Sequence, residues 1–76
     1  MRDLIDFIAR SLVDAPDAVE VQEFGDTEAS IIKLKVSKDD LGKVIGKKGR
    51  TAKAMRTILS AAAQKQDKRT TLEIIE

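Results

Sequence analysis

The sequence predicts an α+β fold in which a three-stranded mixed sheet is covered on one face by three helices, in the order helix, strand, strand, helix, helix, strand. Three observations carry this. The apolar spacing is helical in the first segment, alternates in the next two, returns to helical spacing twice and then alternates once more. The first two alternating runs are separated by little more than Gly25-Asp26, so they pair as a hairpin. The last run is reached only through two helices, and such a crossover places it parallel to the second strand, with a right-handed connection.

Each element has its own justification. From Asp3 to Val13, apolar residues fall at Leu4, Ile5, Ile8 and Leu12, one stripe of a helix, with Asp6, Arg10 and Asp14 outside it. Asp3 is placed to cap this helix and Pro16 to stop it. Ala18 to Phe24 alternates, with Val19 and Val21 on one face and Glu20 and Gln22 on the other. Ala29 to Val36 alternates again, putting Ile32, Leu34 and Val36 inward and Lys33 and Lys35 outward.

Ser37 with Asp40 three residues later reads as a capping box. Leu41, Val44 and Ile45 supply the stripe of a short helix that Gly46 ends. A longer helix follows from about Arg50 to Gln66, with Ala52, Met55, Ile58, Leu59, Ala62 and Ala63 inward and Lys53 and Arg56 outward. Thr70 to Ile75 is the last strand, with Leu72 and Ile74 alternating against Glu73 and Ile75. Ile31 and Ile75 fall opposite their core-facing neighbours, where they serve either as filler or as an association surface. No repeat, linker or low-complexity segment interrupts the pattern, so residues 1–76 read as one domain.

Composition narrows the function. A chain of 76 residues hides only about 60% of its unfolded surface on folding, so a partner or second copy would help it. It has neither cysteine nor histidine, which removes thiol nucleophiles, disulfides, the usual zinc sets and the commonest general base. No catalytic residue set, metal site or cofactor is expected. No targeting segment or membrane-length apolar run is visible, and the absence of cysteine suits a cytoplasmic location. The net charge of +1 conceals a sharp division: residues 1–30 carry two basic and eight acidic side chains, whereas residues 31–56 carry nine basic and two acidic. That asymmetry points to an anionic partner met at one place.

The place is Val44-Ile45-Gly46-Lys47-Lys48-Gly49-Arg50. Two glycines bracket two lysines between helical segments, so a backbone free to approach an anion lies beside two cations and just ahead of a helix start. The spacing excludes a Walker A loop, because Gly42 and Gly46 have three residues between them and no hydroxyl follows the lysine. A dinucleotide-binding turn is excluded because a helix, not a strand, precedes it. From Leu41 to Gln66 there are seven basic and no acidic residues, whereas an ordinary exposed helix pair mixes signs.

Val44-Ile45-Gly46-Lys47-Lys48-Gly49-Arg50-Thr51-Ala52, within the run from Asp40 to Leu59, resembles the G-x-x-G signature of KH domains. The element order resembles the type II form, and the similarity to the small bacterial KhpA family of KH proteins spans essentially the whole chain. One departure is Lys48, where the family pattern favours a neutral residue; its charge would strengthen phosphate attraction without adding base selectivity. The resemblance implies binding of single-stranded RNA, or of single-stranded DNA, with the loop clamping about four nucleotides of backbone. Carried over, Gly46 and Gly49 permit close approach, Lys47 and Lys48 supply charge, Val44 and Ile45 form an apolar wall for bases, with Leu34 or Val36 on the strand side, and Arg50, Lys53 and Arg56 steer the strand from the rim. It further implies a post-transcriptional regulator or RNA chaperone of low sequence selectivity, forming a homodimer or a heterodimer with a second KH-containing, KhpB-like protein.

Scarce aromatics agree with this mode, since most competing RNA modules stack bases on rings and this chain has only Phe7 and Phe24. Two other readings stay open. One is an interaction module whose KH shape mainly recruits a protein. The other is a helix-turn-helix DNA reader, for which Arg50-Thr51-Ala52-Lys53 is a modest recognition set.

Overall fold

The computed structural model describes residues 1–75. Its elements are α1 (Arg2–Leu12), β1 (Glu20–Gly25), β2 (Ala29–Lys35), α2 (Leu41–Ile45), α3 (Arg50–Gln64) and β3 (Arg69–Ile75), with single 3₁₀ turns at Pro16–Ala18, Lys38–Asp40 and Lys47–Gly49. The sheet order is β1-β2-β3. β1 and β2 are antiparallel, with Val21 opposite Leu34; β2 and β3 are parallel, with Ile32 beside Leu72. The α+β order and the mixed sheet are those expected from the sequence.

The hairpin is closed by a carboxylate. Oδ1 of Asp26 accepts the Glu28 and Ala29 amides, both at 2.9 Å, and these bonds, the Ala29 amide first, hold its carboxyl below the ordinary value. The core lies between the sheet and the helices, where Ile5, Ile32, Leu34, Met55, Leu59 and Val44 are the largest fully buried side chains. Alternation explains the choice: β2 buries Ile32 and Leu34, followed by Val36, and turns Ile31, Lys33 and Lys35 to the uncovered face. Ser30 is buried as well, and its hydroxyl meets that of Thr70 at 3.3 Å across the parallel pair.

Several local expectations are corrected. Met1, not Asp3, is the N-cap of α1. That helix stops at Leu12, short of Pro16, which instead opens a 3₁₀ turn at a position suited to its fixed φ. β1 begins at Glu20, although Val19 just ahead of it is still buried. In α3, Ile58 is not core: it is 47% exposed while Met55 and Leu59 are buried, because an α-helix of this width buries a narrower stripe than the sequence suggested. On the uncovered sheet face Ile31 and Ile75 are exposed, as is Phe24, with the Lys33 ammonium 5.5 Å from its ring centroid.

The Ser37–Asp40 capping box does not form. Neither side chain caps the helix start. Asp40 is buried, and its carboxylate crosses to the α1–β1 connection, accepting the Asp14 amide at 3.2 Å and the Ala15 amide at 3.0 Å. The Ser37 hydroxyl donates to the same carboxylate at 3.2 Å. Arg10 braces the connection from α1 through the Pro16 carbonyl at 2.9 Å.

Candidate nucleic-acid interface

α2 is only five residues long because Gly46 leaves helical space at φ 77, ψ 171 while its amide still donates to the Gly42 carbonyl at 2.8 Å. A tight turn follows, closed by the Gly49 amide on the Gly46 carbonyl at 3.0 Å. Lys48 (φ 57) and Gly49 (φ 72) both lie in the left-handed region, and Gly49 is the N-cap of α3. The two glycines serve different physical needs. A Cβ at Gly46 would stand 2.2 Å from Oγ1 of Thr51 and 2.9 Å from its amide nitrogen, so this backbone packs directly onto the first turn of α3. A Cβ at Gly49 would meet nothing within 4 Å, so only its dihedral favours glycine.

This arrangement holds the loop against the N-terminal end of a 15-residue helix, whose first amides carry partial positive charge. Lys47 and Lys48 are exposed on the loop, and Arg50 and Lys53 are exposed on α3 behind it. Arg56 is exposed as well, but its Nε reaches the Leu72 carbonyl of β3 at 3.4 Å. Lys53 and Arg56 line a shallow groove along α3 with Thr57, Ser60 and Gln64. The loop thus leads into a positive stripe, the geometry a polyanion needs if it is to be met over several phosphates.

Of the residues expected to form an apolar wall, only Ile45 has its side chain at the surface. Ile45 is 37% exposed and borders the loop, but Val44 and Leu34 have no accessible surface and Val36 is buried as well. On a helix of 3.6 residues per turn, adjacent Val44 and Ile45 point about 100° apart, so one enters the core and the other faces solvent. Val44 is therefore the floor that fixes α2 to the sheet.

Three residues take roles that the sequence reading did not give them. Thr51 fills the space that only a glycine at 46 leaves open. Asp40 is the buried carboxylate described above; burial pushes its carboxyl up, but the Asp14 and Ala15 amides, Ser37 and Lys43 outweigh that and hold it below the ordinary value. Lys43 projects from α2 to the Asp14 carboxylate and approaches Asp40 at 3.5 Å. Its hydrogen bond with Asp14 is the main cause of its raised pKa. A carboxylate at position 40 and a lysine three residues on were legible as a helical pair, but their partner across 26 residues was not. Among the described residues no cluster of acidic side chains could hold a metal ion, and no helix is long and apolar enough to cross a membrane.

The comparisons with known proteins agree with this geometry. The family model described as KhpA/KhpB, KH domain, matches residues 2–74. The RNA-binding protein KhpA of Clostridium acetobutylicum is 53% identical over 75 residues, covering 99% of this chain and all of that one. The protein of the same name from Caldanaerobacter subterraneus subsp. tengcongensis is 55% identical with the same coverage, and that from Aquifex aeolicus is 46% identical over 76 residues, all of this chain and 96% of that one. No solved structure matches the chain. A G-x-x-G turn seated on Thr51, between two helices above a β1-β2-β3 mixed sheet, and a family match over nearly the full length lead to one conclusion: the chain belongs to the KhpA/KhpB family of KH domains.

Proposed function

We propose that the chain acts as a single KH domain that binds single-stranded RNA, with Gly46-Lys47-Lys48-Gly49 closing on the sugar-phosphate backbone. The observation that carries this reading is the seating of Gly46 on Thr51, which holds two exposed lysines at the head of α3. The relatives, named as RNA-binding proteins, support the ligand class. Gly46, Lys47, Lys48 and Gly49 form the clamp, Ile45 offers an apolar contact to a base, and Arg50, Lys53 and Arg56 extend the positive path. Val44 acts from beneath, by fixing α2. The role assigned to these groups is binding without catalysis, in keeping with relatives named as RNA-binding proteins.

Contacts of this kind read phosphate and not base identity, which suits a post-transcriptional regulator or RNA chaperone of low sequence selectivity in the cytoplasm. A homodimer, or a heterodimer with a second KH-containing protein of the KhpB kind, is consistent with the family model's joint description and with the exposed apolar side chains of so small a domain.

The test is direct titration of a labelled single-stranded RNA. With roughly three phosphates neutralised, log affinity should fall with log salt at a slope near −2. The double substitution Lys47→Asp, Lys48→Asp should abolish binding while circular dichroism remains unchanged, since both side chains are exposed. Undiminished binding by the folded double variant, or a flat salt dependence, would remove the loop from the mechanism. Loss of RNA binding with self-association retained would separate the clamp from any partner surface.

A further inference from the structure

We infer that Asp14 is an internal competitor for RNA phosphate: its carboxylate holds the Lys43 ammonium away from the backbone path and so sets the affinity of the clamp. The inference rests on the RNA-clamp reading above and concerns a residue outside the loop.

Lys43 lies on α2, the helix that ends at Gly46, about one helical turn before the clamp. It belongs to the run from Leu41 to Gln66 that contains only basic charges, yet unlike Lys47 and Lys48 it is committed to an intramolecular partner. Its ammonium hydrogen-bonds the Asp14 carboxylate and lies 3.5 Å from Oδ1 of Asp40. The two carboxylates are not equivalent. The Asp40 side chain is 3% exposed and is fixed by the Asp14 and Ala15 amides and the Ser37 hydroxyl. The Asp14 side chain is 83% exposed, and its backbone amide donates to Asp40. Asp40 thus positions Asp14, and Asp14 holds Lys43.

An exposed carboxylate–ammonium pair contributes little net energy in water, so a phosphate with the same charge and acceptor chemistry competes with it on even terms. Lys43 can keep its contact with buried Asp40 and exchange Asp14 for a phosphate oxygen. Each such exchange costs the protein its Asp14 pair, which makes the bound strand easier to release than the count of lysines implies. A low-selectivity binder that must let go of its RNA gains from such a brake.

The experiment measures affinity of a fluorescein-labelled single-stranded oligouridylate for the full chain across a salt series. Asp14→Asn should tighten binding several-fold at low salt and steepen the log–log slope by about 0.7, the contribution of one more phosphate contact on a single strand. Lys43→Gln alone should change little. In the Lys43→Gln background, Asp14→Asn should give less than about a 2-fold gain, the residue of a screened charge effect. Asp14→Glu, which keeps the pair, should behave as the wild type.

Unchanged affinity in Asp14→Asn, or the same tightening with and without Lys43, would overturn the inference while leaving the clamp intact. Failure of the wild-type chain to bind the oligonucleotide would overturn the clamp and the inference together. A purely structural role for the Asp14 pair would lower thermal stability without moving the salt slope, and would also count against the brake.

Discussion

The Ala15 amide donates to the Asp40 carboxylate at 3.0 Å, across 25 residues of sequence, and so ties the entrance of the first strand to the entrance of α2. Asp40 is buried and has its full complement of partners, two amides, a hydroxyl and an ammonium. Its folded-state pKa is depressed, so the unfolded chain binds its proton more readily than the folded one. The stability it contributes is therefore present above the ordinary carboxylate range and is lost as pH falls below about 4. Asp40→Asn should lower the urea midpoint at pH 7 with an unchanged m value, and the gap to wild type should shrink as pH falls through that window. Parallel pH profiles for the two proteins would contradict this account.

Gly46 and Gly49 should respond differently to the same substitution. Gly49→Ala has open space and meets only the left-handed dihedral, at about 1–2 kcal/mol; Gly49→Asn should cost less, since asparagine tolerates that region. Gly46→Ala drives a Cβ into Thr51 and its backbone, and should be the more damaging of the pair. Adding Thr51→Ala should recover only part of the loss, because the Thr51 amide nitrogen stays 2.9 Å from the new Cβ. Chemical denaturation of the four variants gives the ranking, and equal losses at the two glycines would refute it.

Met55 and Ile58, one turn apart on α3, should also separate. Met55 is 2% exposed, so Met55→Ala should cost about 2–5 kcal/mol through lost burial and the cavity it leaves. Ile58 is 47% exposed, and Ile58→Ala should cost about 1 kcal/mol or less. Unfolding midpoints of the isolated domain, measured at one protein concentration, would check this.

Much of the fold was legible because it is written in short-range periodicity. Alternation at Ile32, Leu34 and Val36 names the buried face of β2 whatever surrounds it, and two helices between β2 and β3 leave few alternatives to a parallel pair. What misled was side-chain chemistry with several equivalent local outlets. Ser37 and Asp40 match a capping box, but the carboxylate found two unpaired amides across the chain and was buried against them. The i,i+3 repeat that includes Ile58 continues past the width of surface the sheet can cover.

The candidate site divides the same way. Gly46-Lys47-Lys48-Gly49, the charge concentrated around it and the element order are properties of the linear sequence, because turn dihedrals and charge need no distant partner to be recognised. Only the tertiary structure decided that Val44 is buried while Ile45 stays partly exposed, that Gly46 is seated on Thr51, and that Lys43 is held by Asp14. Those outcomes depend on which groups are within a few ångströms after folding, and burial and hydrogen bonding act at that range alone.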